Sequence, residues 1–551
     1  MPSNHMALNQ GVEDQLLFDN SKSYFVDPGY ERTSNFQMEL VDVEPMNSAQ
    51  PGQTIQFMLP QSGDLVGDLD LAFAFNTPTS VEPAANATNC ISAWVESVGY
   101  AMIDYVEFTV GSTVLQRITG DQMYLMNELK QQSKRQTSQA GTTGMSAMHR
   151  TARSGEMRPW SDQTAPILGD TNDGYPGDGA WSRVLHDNNN GTSRIVEQTK
   201  EYHVPLPFFF TDSPGKYFPM AALHGVNDIR VTMRLRSLDE LLHISPNWLL
   251  SGVKIPLAAP KFSGGVFKHF RLRAHYYALS GPEATALASK EQVRLIHEWQ
   301  HLREIKSFHC TELGRSHKVD IDLNFLHPVK ELIFVLRRSD EMSPDVTSHH
   351  EYKELRQGPA TKNYFAFHGD PSHGDPNIDG LQNSASFVNS VYKTNLDVTN
   401  IKLKLNGTER HNAISDGVKR EYLSDMVVAR QRSPFANNDH NTMMHNLSME
   451  SSKNSGIMTN KERALAQLSK MHDAKSIFVY PLCIDAEGDN PSGSVNFSKV
   501  SHAKLSFDVT AFTGVPVAQM PEVDQEFYID VYAVSYNWLQ IRDGRALVSF
   551  A

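Results

Sequence analysis

His297, Glu298 and His301 spell H-E-x-x-H. On a helix this spacing sets two imidazoles on one face as zinc ligands, with the glutamate as general base of a hydrolase. The flanking KEQVRLIHEWQHLREIK predicts a helix over Ala284 to Lys306, the context such chemistry needs. A third ligand is not in place: the metzincin extension requires glycine and histidine where this chain has Glu304 and Ser307, and His309 falls out of step. The motif therefore reads as a linker segment. In FHGDPSHGD, His368, Asp370, His373 and Asp375 are metal-binding types, but the intervening Gly and Pro make an ordinary solvated turn. DTNDGYPGDG, with Asp170, Asn172, Asp173 and Asp178, has its glycine one place early for a calcium loop and no closing glutamate. Lys130, Lys134, Arg135, Arg150, Arg153 and Arg158 form a basic stretch without the interleaved aromatics that stack on bases, so it reads as a solvated loop. No P-loop, G-x-G-x-x-G after a strand or G-x-S-x-G occurs. No catalytic, cofactor-binding or metal residue is assigned, and no cofactor is expected.

Composition narrows the classes further. The chain has 551 residues, room for three or four domains of about 150 residues or two large ones with insertions. Hydrophobic residues make up 40%, which rules out wholesale disorder. The net charge of −13 argues against a general nucleic-acid binder. Cys90, Cys310 and Cys483 are scattered with no C-x-x-C pair, a usage that fits a reducing compartment. The opening MPSNHMALNQ lacks the pattern of a signal peptide, so a soluble, cytosolic product is expected. The five N-x-S/T sites, at Asn86, Asn190, Asn406, Asn446 and Asn496, then read as turn asparagines.

The elements that must position any site are strands. Period-2 alternation recurs in TIQFML from Thr54, DLDLAFAF from Asp68, YVEFTV from Tyr105, DIRVTMRL from Asp228 and FRLRAHYYAL from Phe270. It returns in VDIDLNF from Val319, IKLKLNG from Ile401, AKLSFDV from Ala503 and FYIDVYAV from Phe527. Such alternation places apolar side chains on one strand face. Helical patterns are few: Asp121 to Gln132, Ala284 to Lys306 and Lys461 to His472. Strands without regular intervening helices predict antiparallel sandwiches.

The halves also resemble each other. Val106–Thr113 (VEFTVGST) aligns with Ile401–Thr408 (IKLKLNGT) at an offset of 401 − 106 = 295, which also sets Asp121 on Asp416. DIRVTM and KLSFDV each follow a Pro-Gly stretch, and each half closes on an aromatic strand, at Tyr276-Tyr277 and at Tyr532 to Tyr536. A tandem duplication of one β-sandwich accounts for the shared order. Polar stretches over Gln131 to Lys200, Ser339 to Thr399 and Val427 to Lys475 read as surface loops forming an outward crown. SGPEATALAS, from Ser280, reads as the domain boundary.

Several segments resemble the major capsid protein of nucleocytoplasmic large DNA viruses. YERTSNFQME (Tyr30–Glu39) resembles the family's opening strand, and QSGDLVG (Gln61–Gly67) is similar to its N-G-D-L-I-G turn. WVESVGYAMIDYVEFTVGSTVLQRITGDQMYLMNEL (Trp94–Leu129) resembles the block running from W-V to G-D and N-E-L. VPLPFFFTDSPGKYFPMAAL (Val204–Leu223) is similar to V-P-L-P-F-W-F with its following P-G, and LNFLHPVKELIFVLRR (Leu323–Arg338) to F-N-H-P-V-K-E-L-I-W-V. PSGSVNFSKV (Pro491–Val500) and VYAVSYNWLQIRDG (Val531–Gly544) resemble the closing segments. The long loops match nothing in the family pattern. HEWQ stands where the family has H-E-Y-L, which places His297 and Glu298 at the entry to the second domain.

The resemblance implies an all-β tandem double jelly roll, two eight-stranded antiparallel sandwiches with long loop insertions and few short helices. It implies an N-terminal arm over 1–24, a first jelly roll over 25–280, a linker over 281–296 and a second jelly roll over 297–551. The implied function is structural, not enzymatic: a homotrimeric, pseudo-hexagonal capsomer that tiles an icosahedral shell. Implied partners are further copies of the chain in the trimer and in neighbouring capsomers, minor capsid and penton proteins, and an inner membrane reached by the arm, with no direct nucleic acid. The implied location is the virion shell, with assembly in the host cytoplasm. The rival from the residues alone is a metal-dependent or carbohydrate-active β-sandwich enzyme using the HEWQH segment.

Overall fold

The computed structural model describes residues 33–81, 90–95, 98–129, 184–189, 192–195, 197–198, 201–223, 228–245, 260–309, 316–338, 395–409, 477–486, 488, 490–512, 524–542 and 544–549. The alternating segments all fold as strands. In the first half these are β1 (Phe36–Val43), β2 (Thr54–Met58), β3 (Leu65–Phe75), β4 (Ile103–Val110), β5 (Thr113–Thr119), β6 (Glu201–Pro205), β7 (Ile229–Leu235) and β8 (Phe267–Leu279). In the second they are β9 (Gln292–His309), β10 (Ser316–Asp322), β11 (Pro328–Arg338), β12 (Asn395–Leu405), β13 (Thr408–Glu409), β14 (Ile477–Pro481), β15 (Ala503–Phe512) and β16 (Asp524–Arg542). A last strand, β17 (Arg545–Val548), pairs with β16.

The first half forms one sheet in the order β1-β8-β3-β6 and a second in the order β2-β7-β4-β5, all antiparallel. The second half repeats that order with every strand shifted by eight: β9-β16-β11-β14 and β10-β15-β12-β13. This is the jelly-roll arrangement of two facing sheets, present twice.

The repeat is registered at one hairpin in each half. Val110 pairs with Thr113 around Gly111-Ser112, and Leu405 pairs with Thr408 around Asn406-Gly407, again 405 − 110 = 295 apart. Gly111 (φ 60°), Asn406 (φ 50°) and Gly407 (φ 79°) take the left-handed backbone that two-residue hairpin turns require. The Pro-Gly-preceded segments fall on β7 and β15, and the aromatic segments on β8 and β16, which are equivalent strands.

Two helices flank the junction of the halves: α1 (Gly120–Leu129), after β5, and α2 (Gly281–Ser289), between the halves. The helix expected over Ala284 to Lys306 is corrected. Only α2 is helical, and Gln292–His309 is an 18-residue strand paired residue for residue with β16. Ile296, Trp299, Leu302 and Ile305 recur every three residues and so imitate a helix. In β9, Trp299 and Leu302 point to opposite faces, toward the first and second hydrophobic cores, and long-range pairing overrides the local pattern.

The loop expected over Gln131 to Lys200 contains a hairpin, Val184–Asn189 with Thr192–Ile195. It joins Cys90–Trp94 and Leu242–Ser245 in a four-stranded sheet, so three connections of the first roll meet. The loop expected over Ser339 to Thr399 gives way to β12 at Asn395, and residues 339–394, the stretch Val427 to Lys475 with the helix expected over Lys461 to His472, and Asp416 lie outside the described residues.

Candidate functional site: the seam between the rolls

Each roll has its own core, but the first core does not stop at the first roll. Its cluster takes in Ile296, Ile333, Val335, Val479, Tyr532 and Val534 from the second. Leu332, Phe334, Leu336, Val531 and Ala533, the alternate residues of the same strands, fill the second core. Strands β11 and β16 are thus buried on both faces, which is why ELIFVL and YIDVYAV read as nearly continuous apolar runs. Each fully buried large apolar side chain contributes about 1.5–3 kcal/mol, so the seam extends the first core into the second roll.

Inside this apolar seam sits a buried cluster of charges. Asp121 comes from the first turn of α1, where the helix dipole favours a carboxylate. The turn is fixed by reciprocal hydrogen bonds: the Gln122 amide N–H donates to Thr119 Oγ1 (3.2 Å) and the Thr119 N–H donates to Gln122 Oε1 (2.9 Å). Gly120 is obligatory there, because a Cβ would lie 2.2 Å from the Tyr100 carbonyl oxygen and 2.4 Å from that of Ile103. The G-D pair of the sequence block is explained: glycine permits the approach that delivers the aspartate.

From the second roll, Asp530 of β16 and Arg337 of β11 enter the cluster, 0% and 1% exposed. Arg337 donates to Asp121 Oδ2 at 3.0 Å and also to Asp530 Oδ2. Arg303 Nε donates to Asp530 Oδ1 at 2.6 Å, and His301 Nε2 lies 2.8 Å from the same oxygen with its ring stacked on Tyr532 at 4.6 Å. Arg236 of the first roll donates to the Ala101 carbonyl at 2.8 Å and stands 3.6 Å from Asp121. Burial alone would raise the pKa of Asp530. The Arg337 charge and the hydrogen bonds from His301 and Arg303 outweigh it and hold the carboxyl below its ordinary range. Asp121 is held low in the same way, burial being overcome by Arg337 and Arg236. Across the seam, Arg294 of β9 donates to the backbone carbonyls of Lys216 and Tyr217.

The H-E-x-x-H residues are apart. On a strand, four residues separate His297 and His301 by about 13 Å, beyond any shared tetrahedral zinc. His297 Nδ1 lies 3.4 Å from Lys330 Nζ, and Glu298 accepts from Asn537 Nδ2 at 2.8 Å. Among the described residues, no three His, Cys, Asp or Glu side chains come together as a metal site. His368, Asp370, His373, Asp375, Asp170, Asn172, Asp173, Asp178, Lys130, Lys134, Arg135, Arg150, Arg153 and Arg158 lie outside the described residues. Sequence reasoning passed over Arg236, Arg303, Arg337 and Asp530. The available signal was an acid inside an apolar strand (YIDVYAV) and arginines closing another (LIFVLRR).

Two jelly rolls of identical strand order, joined across a buried seam, define a double jelly-roll protein. Residues 23–260 match the family model of the major capsid protein N-terminus. The chain is 24% identical to the major capsid protein of Phaeocystis pouchetii virus, over 98% of both chains. It is 21% identical to that of Pyramimonas orientalis virus, over 98% of this chain and 97% of the relative. The fold is similar to the PBCV-1 virus capsid structure at a TM-score of 0.58 and 17% identity, covering 96% of this chain and all of that one. It is also similar to the Faustovirus major capsid protein at 0.52 and 12%, covering 97% and 94%. In sequence and fold the chain resembles the major capsid proteins of nucleocytoplasmic large DNA viruses, which are structural proteins and not enzymes.

Proposed function

We propose that this chain is the major capsid protein of a large double-stranded DNA virus and that three copies form a pseudo-hexagonal capsomer tiling an icosahedral shell. The observation that carries the reading is the repeated strand order, β1-β8-β3-β6 with β2-β7-β4-β5, occurring twice around one seam. Two similar rolls per chain in three chains give six similar towers, and six towers fill a plane with one gene product. The proposed division is an arm over 1–24, a first roll over 25–280 and a second roll to 551. The proposed linker runs over 281–296 and the second roll over 297–551. Neighbouring capsomers, minor capsid and penton proteins are the proposed partners, with an inner membrane reached by the arm and no direct nucleic acid. Assembly is placed in the host cytoplasm.

Sedimentation of the purified chain tests this. A species of about three times 61.7 kDa is expected, and a folded monomer at micromolar concentration would refute it. The rival metal-dependent enzyme requires His297 and His301 to meet on one ion. Elemental analysis separates the readings: no stoichiometric zinc is expected, and one zinc per chain, lost in His301→Ala, would reverse the choice.

A further inference from the structure

We infer that the hairpin of β16 and β17 is a strap that completes the first roll. That roll reaches its final fold only when β17, which starts 545 − 279 = 266 residues beyond the end of β8, has been made and has closed on it.

The strap begins where the second roll ends. Strand β16 is 19 residues long, and its own sheet uses only part of it. One edge is filled throughout by β9, from Gln292 opposite Ile541 to His309 opposite Asp524. On the other edge β11 pairs with Phe527 to Ser535, and β17 then takes over, setting Val548, Leu547, Ala546 and Arg545 opposite Leu539, Gln540, Ile541 and Arg542. Gly544, at φ 71°, permits the tight turn between the two strands. Among the described residues the first roll has no such extension, because the chain passes from β8 into α2.

The two faces of this three-stranded extension differ. Cross-strand partners share a face, so Gln292, Ile541 and Ala546 form one row and Arg294, Leu539 and Val548 the next. Leu539, Ile541 and Ala546 are buried within the first roll's core, and Val548 packs against it. On the same face Arg294 donates to the carbonyls of Lys216 and Tyr217, at 3.2 and 2.5 Å, and Gln292 Nε2 donates to the Leu287 carbonyl of α2 at 2.9 Å. Strand β17 lies beside β5, the edge strand of the β2-β7-β4-β5 sheet. Val293, Trp538 and Leu547 occupy the opposite face and are 53%, 40% and 46% exposed.

An order of folding follows. Apolar surface leaves water only when its partner is present. The other second-roll residues in the first core, Ile333, Val335, Val479, Tyr532 and Val534 among them, precede β17 in the chain, so β17 is the piece that closes it. A chain without β17 carries a first roll open beside β5. In the proposed capsomer such chains are left out. That consequence rests on the trimer reading, whereas the experiment reads the folding of the chain itself, and sedimentation of the wild type tests the trimer separately.

Hydrogen exchange, read strand by strand, compares the full chain with Ala546→Glu and Leu547→Glu, neighbours on β17 that face opposite ways. Ala546→Glu sets a charge against the first roll's core. It is expected to speed exchange in β5 by about tenfold or more while β15, in the far sheet of the second roll, stays within about twofold; Leu547→Glu is expected to leave both unchanged. Unchanged exchange in β5 of Ala546→Glu would overturn the inference. So would an equal rise in β15, or an equal effect of Leu547→Glu. Should Ala546→Glu fail to fold, pulse-labelled exchange during refolding of the wild type decides. Protection in β5 is expected to appear together with that in β17, and β5 protected before β17 would overturn the inference.

Discussion

The outer face of β1-β8-β3-β6 and that of β9-β16-β11-β14 have one topology and opposite surroundings. In β8 buried and half-exposed residues alternate along most of the strand, Phe270, Leu272, Ala274 and Tyr276 facing the core while Arg271, Arg273 and His275 face outward. In β16, Phe527, Ile529, Val531 and Ala533 face one core while Asp530, Tyr532 and Val534 are buried against the other roll. The duplicated unit has diverged by coverage: one copy keeps the alternation of a one-sided sheet, and the other has lost it because both faces are dry. Charges behave accordingly. The Asp42-Arg271-Arg273 group is screened by water, whereas the Asp121-Arg337-Asp530 group is held in a seam with no solvent to replace a missing partner.

The largest effect expected from this difference is at Asp530. Asp530→Asn or Arg337→Ala leaves the buried charges of the seam one partner short and their balance broken, a loss of about 3–5 kcal/mol. Chemical denaturation checks it, and a change below about 1 kcal/mol would mean that water reaches the seam.

Acid sharpens the contrast. The folded-state pKa values of Asp530 and Asp121 lie below those of the unfolded chain. Their contribution is therefore fully present above the ordinary carboxylate range, about pH 4, and is lost progressively as pH falls below it. Stability measured from neutral pH downward is expected to fall more steeply in the wild type than in Asp530→Asn over that acid range.

Gly120→Ala comes next in size. It forces a methyl group against two backbone carbonyls at the base of α1, for about 1–3 kcal/mol, and moves Asp121 out of reach of Arg337. A melting curve reads the loss, and a double-mutant cycle with Arg337→Ala should show non-additivity because both changes act on one ion pair. The smallest effect is at Arg273, the half-buried counterpart. Arg273→Ala in the dissociated chain is expected to cost less than about 1 kcal/mol.

Much of the fold was legible in the sequence, and the exceptions share a cause. TIQFML, DLDLAFAF and DIRVTMRL became strands because one side of each is polar, so alternation survives in the residue types. The duplication was visible at VEFTVGST and IKLKLNGT because a two-residue hairpin turn restricts its own residues. Strand β9 was not legible: its apolar residues serve two cores and the seam, and the resulting spacing of three imitates a helix. The seam charges were hidden for the same reason. Nothing near Asp530 in the chain states that Arg337, 193 residues away, and Asp121, in the other roll, will meet it.

Electron microscopy of the purified assembly, with averages taken down its symmetry axis, tests the central claim most directly. Three chains are expected to show six similar towers around a threefold axis, each chain contributing two rolls joined at the Asp121-Arg337-Asp530 seam. Particles with one or two towers, or a ring in which the rolls of one chain do not touch, would contradict the account.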